Sequence, residues 1–184
     1  YKPLVADQAL QVGADIINDV HGLQGAPEMA QVAALHDAPV IAMHWDRSWT
    51  AETDILPAMT GYFRRTLEIA TAAGVPAERI VLDPGLGFSK TLTQNYSILR
   101  QLADLTSAFP EQGLLVGTSR KSMIGKLLGN QPDERLPGTL ATTVQGYERG
   151  GHIFRVHDVA ANVDALRVAE ATVYGPPEPA GQTP

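Results

Sequence analysis

Short apolar runs recur along the chain at intervals that suit a repeating strand–helix unit. Ile16-Ile17-Asn18-Asp19-Val20, Val40-Ile41-Ala42-Met43, Ile80-Val81-Leu82-Asp83, Leu114-Leu115-Val116-Gly117 and Ile153-Phe154-Arg155-Val156 are each four or five residues long. Apolar residues on both alternating faces suit parallel strands buried on both sides. A Gly, Pro, Asp or Ser cluster follows each run, and then a segment with helical spacing. Pro3 to Val12 predicts a helix ended by Gly13, and Pro27 fits a first-turn proline ahead of Met29, Val32, Ala33 and Leu35. Tyr62 to Ala73 predicts a helix closed by Gly74, and Thr93 a cap for one holding Tyr96, Ile98, Leu99 and Leu102. Thr139 to Tyr147 and Val163 to Val173 complete the helical set. Residues 1–174 read as one unit, and the Pro- and Gly-rich segment 175–184 as a disordered tail.

Five strands alternating with helices predict a parallel sheet with right-handed crossovers. An open doubly wound sheet and a (β/α) barrel both fit that alternation. Five and a half units give roughly 33 residues each, so eight would need roughly 265, close to the ~250 of a complete barrel. The chain also opens on a helix, which in a βα repeat follows a strand. Both features predict a TIM-type (β/α)8 barrel represented by about five βα units, strands 4 to 8, with an incomplete N-terminus.

Composition narrows the class of ligand. The 184 residues are 44% hydrophobic and 18% charged, an ordinary globular balance. The net charge of −6 and the lack of a basic run exclude nucleic acid as an expected partner. A small anion stays open, because a few convergent cations outweigh a mildly acidic surface locally. With no cysteine, disulfides and thiolate metal sites are excluded. No apolar run reaches the ~18–20 residues that span a bilayer, and no signal peptide is visible, so the expected location is cytoplasmic, without a membrane partner.

Parallel α/β folds bind ligands at the C-terminal ends of their strands, and every such end here is polar. In order they offer Asn18, Asp19 and His21; Met43, His44, Asp46 and Arg47; Asp83 followed by residues 84–90; Gly117-Thr118-Ser119-Arg120-Lys121-Ser122; and Arg155, His157 and Asp158. Buried charge needs partners, so the set implies either a ligand or a ring of salt bridges closing the barrel top. Asp83 can accept two parallel N–H bonds from an amidine-like edge such as a 2-amino-pyrimidinone, or it can cap a turn. Asn18 can donate and accept beside it, or close a turn. The segment opened by Gly117 carries two adjacent cations at a helix start, which suits an anion or an electron-rich ring. Arg155 and His157 share one side of an extended segment, at the strands where barrels commonly bind phosphate. His44 is more simply a packed core histidine. No His, Asp and Glu trio has metal-ligand spacing. Gly85-Leu86-Gly87 lacks the third glycine of a dinucleotide loop, 117–122 lacks Walker spacing, and Ser119 and Ser122 have no nucleophile elbow.

Four segments, Ile16-Ile17-Asn18-Asp19-Val20, Leu82-Asp83-Pro84-Gly85-Leu86-Gly87-Phe88, Gly117-Thr118-Ser119-Arg120-Lys121-Ser122 and Arg155-Val156-His157-Asp158-Val159, together resemble dihydropteroate synthase in order and spacing, as does Arg135-Leu136-Pro137-Gly138-Thr139. The resemblance spans roughly residues 1–173. It implies a transferase of folate biosynthesis, a (β/α)8 barrel that joins 6-hydroxymethyl-7,8-dihydropterin diphosphate to p-aminobenzoate and releases pyrophosphate. By resemblance, Asn18, Asp83 and Lys121 hold the pterin, Met43 packs on its ring, and Arg155 and His157 hold the diphosphate. Phe88, Lys121 and Ser122 border the aminobenzoate, where sulfonamides compete in this family, and Mg²⁺ assists departure of pyrophosphate. The family's Mg-placing Asn and a further pterin-facing Asp precede the part that resembles this chain. No metal ligand is therefore expected in these residues, and the chain alone is expected to be inactive. Two departures stand out: Ser89 where many members have Gly, and Trp45-Asp46-Arg47-Ser48-Trp49 in place of the usual loop. Alternatives are a pterin-binding methyltransferase and a non-catalytic partial barrel that binds pterin or phosphate. A homodimer is kept open as the assembly state, because unpaired sheet edges favour association.

Overall fold

A computed structural model describes residues 1–46 and 48–177. Arg47 and most of the expected tail lie outside the described residues; Gly175 to Pro177 have no regular secondary structure. Among the described residues five strands alternate with eight α-helices. Helix α1 (Pro3–Gln11) leads into β1 (Ile17–Asp19), α2 (Glu28–Leu35), β2 (Val40–Met43), α3 (Ile55–Ala73) and β3 (Ile80–Asp83). Then come α4 (Leu92–Arg100), α5 (Leu102–Ala108), β4 (Gly113–Val116), α6 (Ser122–Leu128), α7 (Leu136–Glu148), β5 (Ile153–Phe154) and α8 (Val159–Tyr174).

The strands form one parallel sheet in the order β1-β2-β3-β4-β5. That order decides between the two architectures. A doubly wound sheet reverses direction at a switch point, whereas a sheet in strict chain order steps one way only. Right-handed crossovers then lay every helix on the same face, as in a barrel wall. Residues of alternate parity confirm the sidedness. Ile17, Val40, Ala42, Ile80, Leu82, Leu114 and Val116 are buried in one apolar cluster with Met29, Met59, Phe63, Ile98 and Leu102 from the helices. The other parity is free to form a concave inner face.

The expectation that all five strands are buried on both sides holds only in the middle of the sheet. Asn18 of β1 and Ile153 of β5 are exposed, because these outermost strands have a neighbour on one side only. Helix boundaries also shift. Helix α3 begins at Ile55 rather than Tyr62: Pro57 falls within its first turn, and Gly61 is carried inside it. Helix α4 is capped by Thr91, not Thr93. The Thr91 hydroxyl accepts from the Gln94 amide N–H at 3.2 Å and the Gln94 side chain accepts from Thr91 N–H at 3.0 Å, a reciprocal capping box. Leu102 belongs to a separate helix, α5, after a break at Gln101. Pro137 in the first turn lets α7 start at Leu136, and α8 starts at Val159.

Phe63 anchors the layer between sheet and helices. It is fully buried, edge-to-face with Phe109 at 5.9 Å between ring centroids. Phe63→Ala should lower stability by about 3–5 kcal/mol, as expected for a core aromatic truncated without collapse of the site. Urea denaturation of the purified protein measures it; a loss below about 1 kcal/mol would show that this layer is loosely packed.

Candidate active site

Strand alternation sets the inner face. Asn18, Met43, Asp83, Gly117 and Arg155 all have the parity opposite to the core cluster, and Met43 is the register partner of Asp83. The side chain of Asp83 is 1% exposed, at the inner end of the central strand. Its Oδ1 accepts from the Gly85 N–H at 2.8 Å and its Oδ2 from Arg155 Nη2 at 2.7 Å. The second arm of the same guanidinium, Nη1, donates to Asn18 Oδ1 at 2.6 Å. Arg155 thus reaches from one outer strand over β3 to the other. Gly117 lies beside them: a methyl there would be in ordinary contact, 3.5 Å from Arg155 Nη2 and 3.7 Å from Lys121 Nζ.

Lys121 enters from the β4–α6 loop. Its ammonium donates to the Leu86 carbonyl and sits 4.8 Å over the Phe88 ring, a cation–π contact. Burial pushes its pKa down to about 8; nearby Asp83 opposes that shift and Arg155 adds to it. No ion pair joins Lys121 to a carboxylate among the described residues. Gly117, Ser119, Lys121, Arg155, Val156 and His157 line a cavity of about 250 Å³. His157 Nδ1 is 2.9 Å from Ser119 Oγ, and Arg120 holds Asp158 through bonds of 3.0 and 2.6 Å. The last two strand-end loops are thereby tied together around the cavity mouth.

Asp19 and His44 have structural roles. Asp19 faces the opposite side from Asn18 and caps its own turn, accepting from His21 N–H at 3.2 Å and Leu23 N–H at 2.8 Å. His44 is buried among Trp49, Tyr62 and Phe63, with centroid distances of 4.8, 4.6 and 6.1 Å. Burial holds its pKa down to about 3, so it is a neutral core histidine. Ser122 opens α6 as an exposed residue, and Met43 is buried on the inner face. The strand-end set therefore does contain salt bridges, Arg155–Asp83 and Arg120–Asp158, but they are not a closed ring: Lys121 and His157 stay directed to the cavity.

Lys90, in sequence only the last residue of the segment 84–90 after the third strand, has a role that the sequence does not reveal. Its ammonium donates to the carbonyls of Gly85, Phe88 and His44 at 3.0, 3.1 and 3.3 Å, and burial lowers its pKa to about 8. A lysine in an otherwise apolar, glycine-rich loop was the one available signal. No group of three or more His, Asp or Glu that could hold a metal occurs among the described residues.

A parallel wall in chain order carries a carboxylate, an amide, a histidine and the cations Lys121 and Arg155 at its strand ends, the arrangement of a (β/α) barrel that binds an anionic heterocycle. Residues 1–157 match the family model described as pterin binding enzyme, and the chain belongs to that family. Within it, the chain is similar to dihydropteroate synthases. It is 46% identical over 176 residues to the enzyme of Synechocystis sp., covering 91% of this chain and 60% of that one. The crystal structure of dihydropteroate synthase from Clostridium difficile in the presence of pteroic acid superposes with a TM-score of 0.89 at 43% identity, over 95% of this chain and 65% of that one. The Xanthomonas albilineans enzyme with 4-aminobenzoic acid gives 0.89 at 34% identity, over 96% and 64%. The chain spans about 60% of the length of the curated relatives it matches.

The lowered pKa of Lys121 gives the site a pH dependence. Its charge is present below about 8 and lost as pH rises through that value. Affinity for benzoate, a small carboxylate that does not itself titrate in this range, should therefore fall about tenfold between pH 7 and pH 9, the loss of one charged contact. Lys121→Arg should flatten the profile. Calorimetric titration at several pH values checks both; a wild-type profile that is already flat contradicts the assignment.

Proposed function

We propose that the protein carrying this chain is a dihydropteroate synthase, joining 6-hydroxymethyl-7,8-dihydropterin diphosphate to p-aminobenzoate with release of pyrophosphate. The observation that carries the reading is the grip of Arg155 on Asn18 and Asp83. A planar guanidinium presents parallel N–H donors much as a 2-amino-pyrimidinone edge does. The two acceptors assigned to the pterin are thus already arranged for a planar, amidine-like donor. Relatives solved with pteroic acid and with 4-aminobenzoic acid support the same two substrates.

In this reading Asp83 and Asn18 hold the pterin edge, Lys121 meets its other polar atoms, and Met43 lies beneath the ring. Arg155, released from Asp83, joins His157 on the diphosphate at the cavity they share. Phe88, Lys121 and Ser122 border the aminobenzoate. The aniline nitrogen attacks the pterin methylene: a C–N bond forms, the C–O bond to diphosphate breaks, and the nitrogen loses its proton. Aniline needs no strong base, so the barrier lies in leaving-group departure. Arg155, once moved onto the diphosphate, stabilises the charge developing on pyrophosphate. Mg²⁺ belongs to the proposal only through residues outside those described, since the described ones offer no fitting set of ligands. No helix among the described residues is long and apolar enough to cross a membrane; a cytoplasmic location and a homodimeric state complete the proposal.

The full-length protein should release pyrophosphate only when p-aminobenzoate is added. Release without the amine would indicate a hydrolase, and no release would favour a non-catalytic pterin-binding barrel. Asp83→Ala should cut pterin affinity by about a hundredfold or more while the far-ultraviolet dichroism of the fold remains. Unchanged affinity by calorimetry would remove Asp83 from the pocket.

A further inference from the structure

The two departures from the family pattern meet each other. Trp45 Nε1 donates to Ser89 Oγ at 2.8 Å, across 44 residues of sequence, joining the loop after β2 to the loop after β3. Ser89 has φ +49°, in the left-handed region that a non-glycine residue adopts at a cost. Strain of this kind persists where the surroundings compensate for it. The Ser89 hydroxyl accepts a hydrogen bond there that a glycine would lack. The Trp45 ring is itself fixed, stacked on His21 at 4.9 Å and 8° between planes. The Trp45 ring also lies 6.4 Å from that of Phe88 between centroids, and Phe88 carries Lys121 on its ring. Lys90 tethers the same loop from behind through three carbonyls.

We propose that Trp45 and Ser89 form a latch that positions Phe88 for the aromatic amine. They are positioning residues of the aminobenzoate subsite, acting through Phe88. The latch rests on the reaction proposed above. With the hydrogen bond closed, Phe88 is held between the Trp45 ring and the Lys121 ammonium, so the flat wall exists before the amine arrives. Opening the bond frees the loop tip and spreads Phe88 over several orientations, which weakens binding of the amine and leaves the deeper pterin pocket untouched.

Ser89→Gly isolates the hydroxyl, because glycine adopts φ +49° without strain and the fold cannot suffer for that reason. Trp45→Phe removes the donor and keeps an aromatic ring. In the full-length protein, each variant should raise KM for p-aminobenzoate about threefold to tenfold, the range for one neutral hydrogen bond. KM for the pterin diphosphate and kcat should stay within about twofold. The double variant should be no worse than either single one, since both break the same bond. Additive effects, a pterin KM that moves in step, or an unchanged aminobenzoate KM would each overturn the latch while wild-type turnover leaves the reaction standing. Absence of wild-type turnover would overturn the reaction and the latch with it.

Discussion

A carboxylate buried at the middle of a parallel sheet constrains everything around it. Asp83 is taken out of water at the end of β3, where an unpaired charge would cost several kcal/mol. Its two oxygens are satisfied by the Gly85 N–H and by Arg155. The first demand fixes the turn after β3, with Gly85 at φ +66° and so close to the His44 carbonyl that a side chain has no room. The second draws β5 and β1 into one rim, because the guanidinium that reaches Asp83 also reaches Asn18. Gly117 lies beside both cations, where a methyl would only come into ordinary contact with Arg155 and Lys121.

Around that centre, burial sets the character of the cations. Lys121 and Lys90 both lose solvent and have pKa values of about 8, yet they do different work. Lys90 spends its three donors on backbone carbonyls and braces the loop bearing Phe88. Lys121 spends one on the Leu86 carbonyl and faces the cavity. Arg120 and Arg135 are absorbed into the frame: Arg120 grips Asp158, and Arg135 donates to the carbonyls of Arg120 and Asn130. The polarity of Arg120 at a strand end reads the same in sequence as that of Lys121; only the partners separate them.

The middle strands were legible because a four-residue apolar run between turn residues leaves little choice. The barrel was legible from unit length and alternation, and the strict chain order of the strands bears it out. Helix starts were less so. Pro57 and Gly61 hid the first turns of α3, and a break at Gln101 hid α5 within a continuous helical spacing. Asp19 and Asp83 look alike as strand-ending acids, but one residue of parity sends Asp19 into its own turn and Asp83 to the inner face. Lys90 could not be read at all as a brace, since its partner at His44 lies 46 residues away and exists only once β2 and β3 pair.

The guanidinium that fills the Asp83–Asn18 notch alters what a ligand must do to bind. Desolvation of the carboxylate is settled during folding, so an incoming heterocycle competes with an internal rival instead of with water. Competition of that kind acts as a filter. Under the proposed function, a ring offering a paired donor edge would replace what Arg155 gives up, and the released guanidinium would then serve its anionic end. A ring with a single donor leaves Asp83 short of a partner, and the arginine returns. Selectivity in such a pocket would come from the symmetry of the exchange, with the protein's own side chain as the competitor.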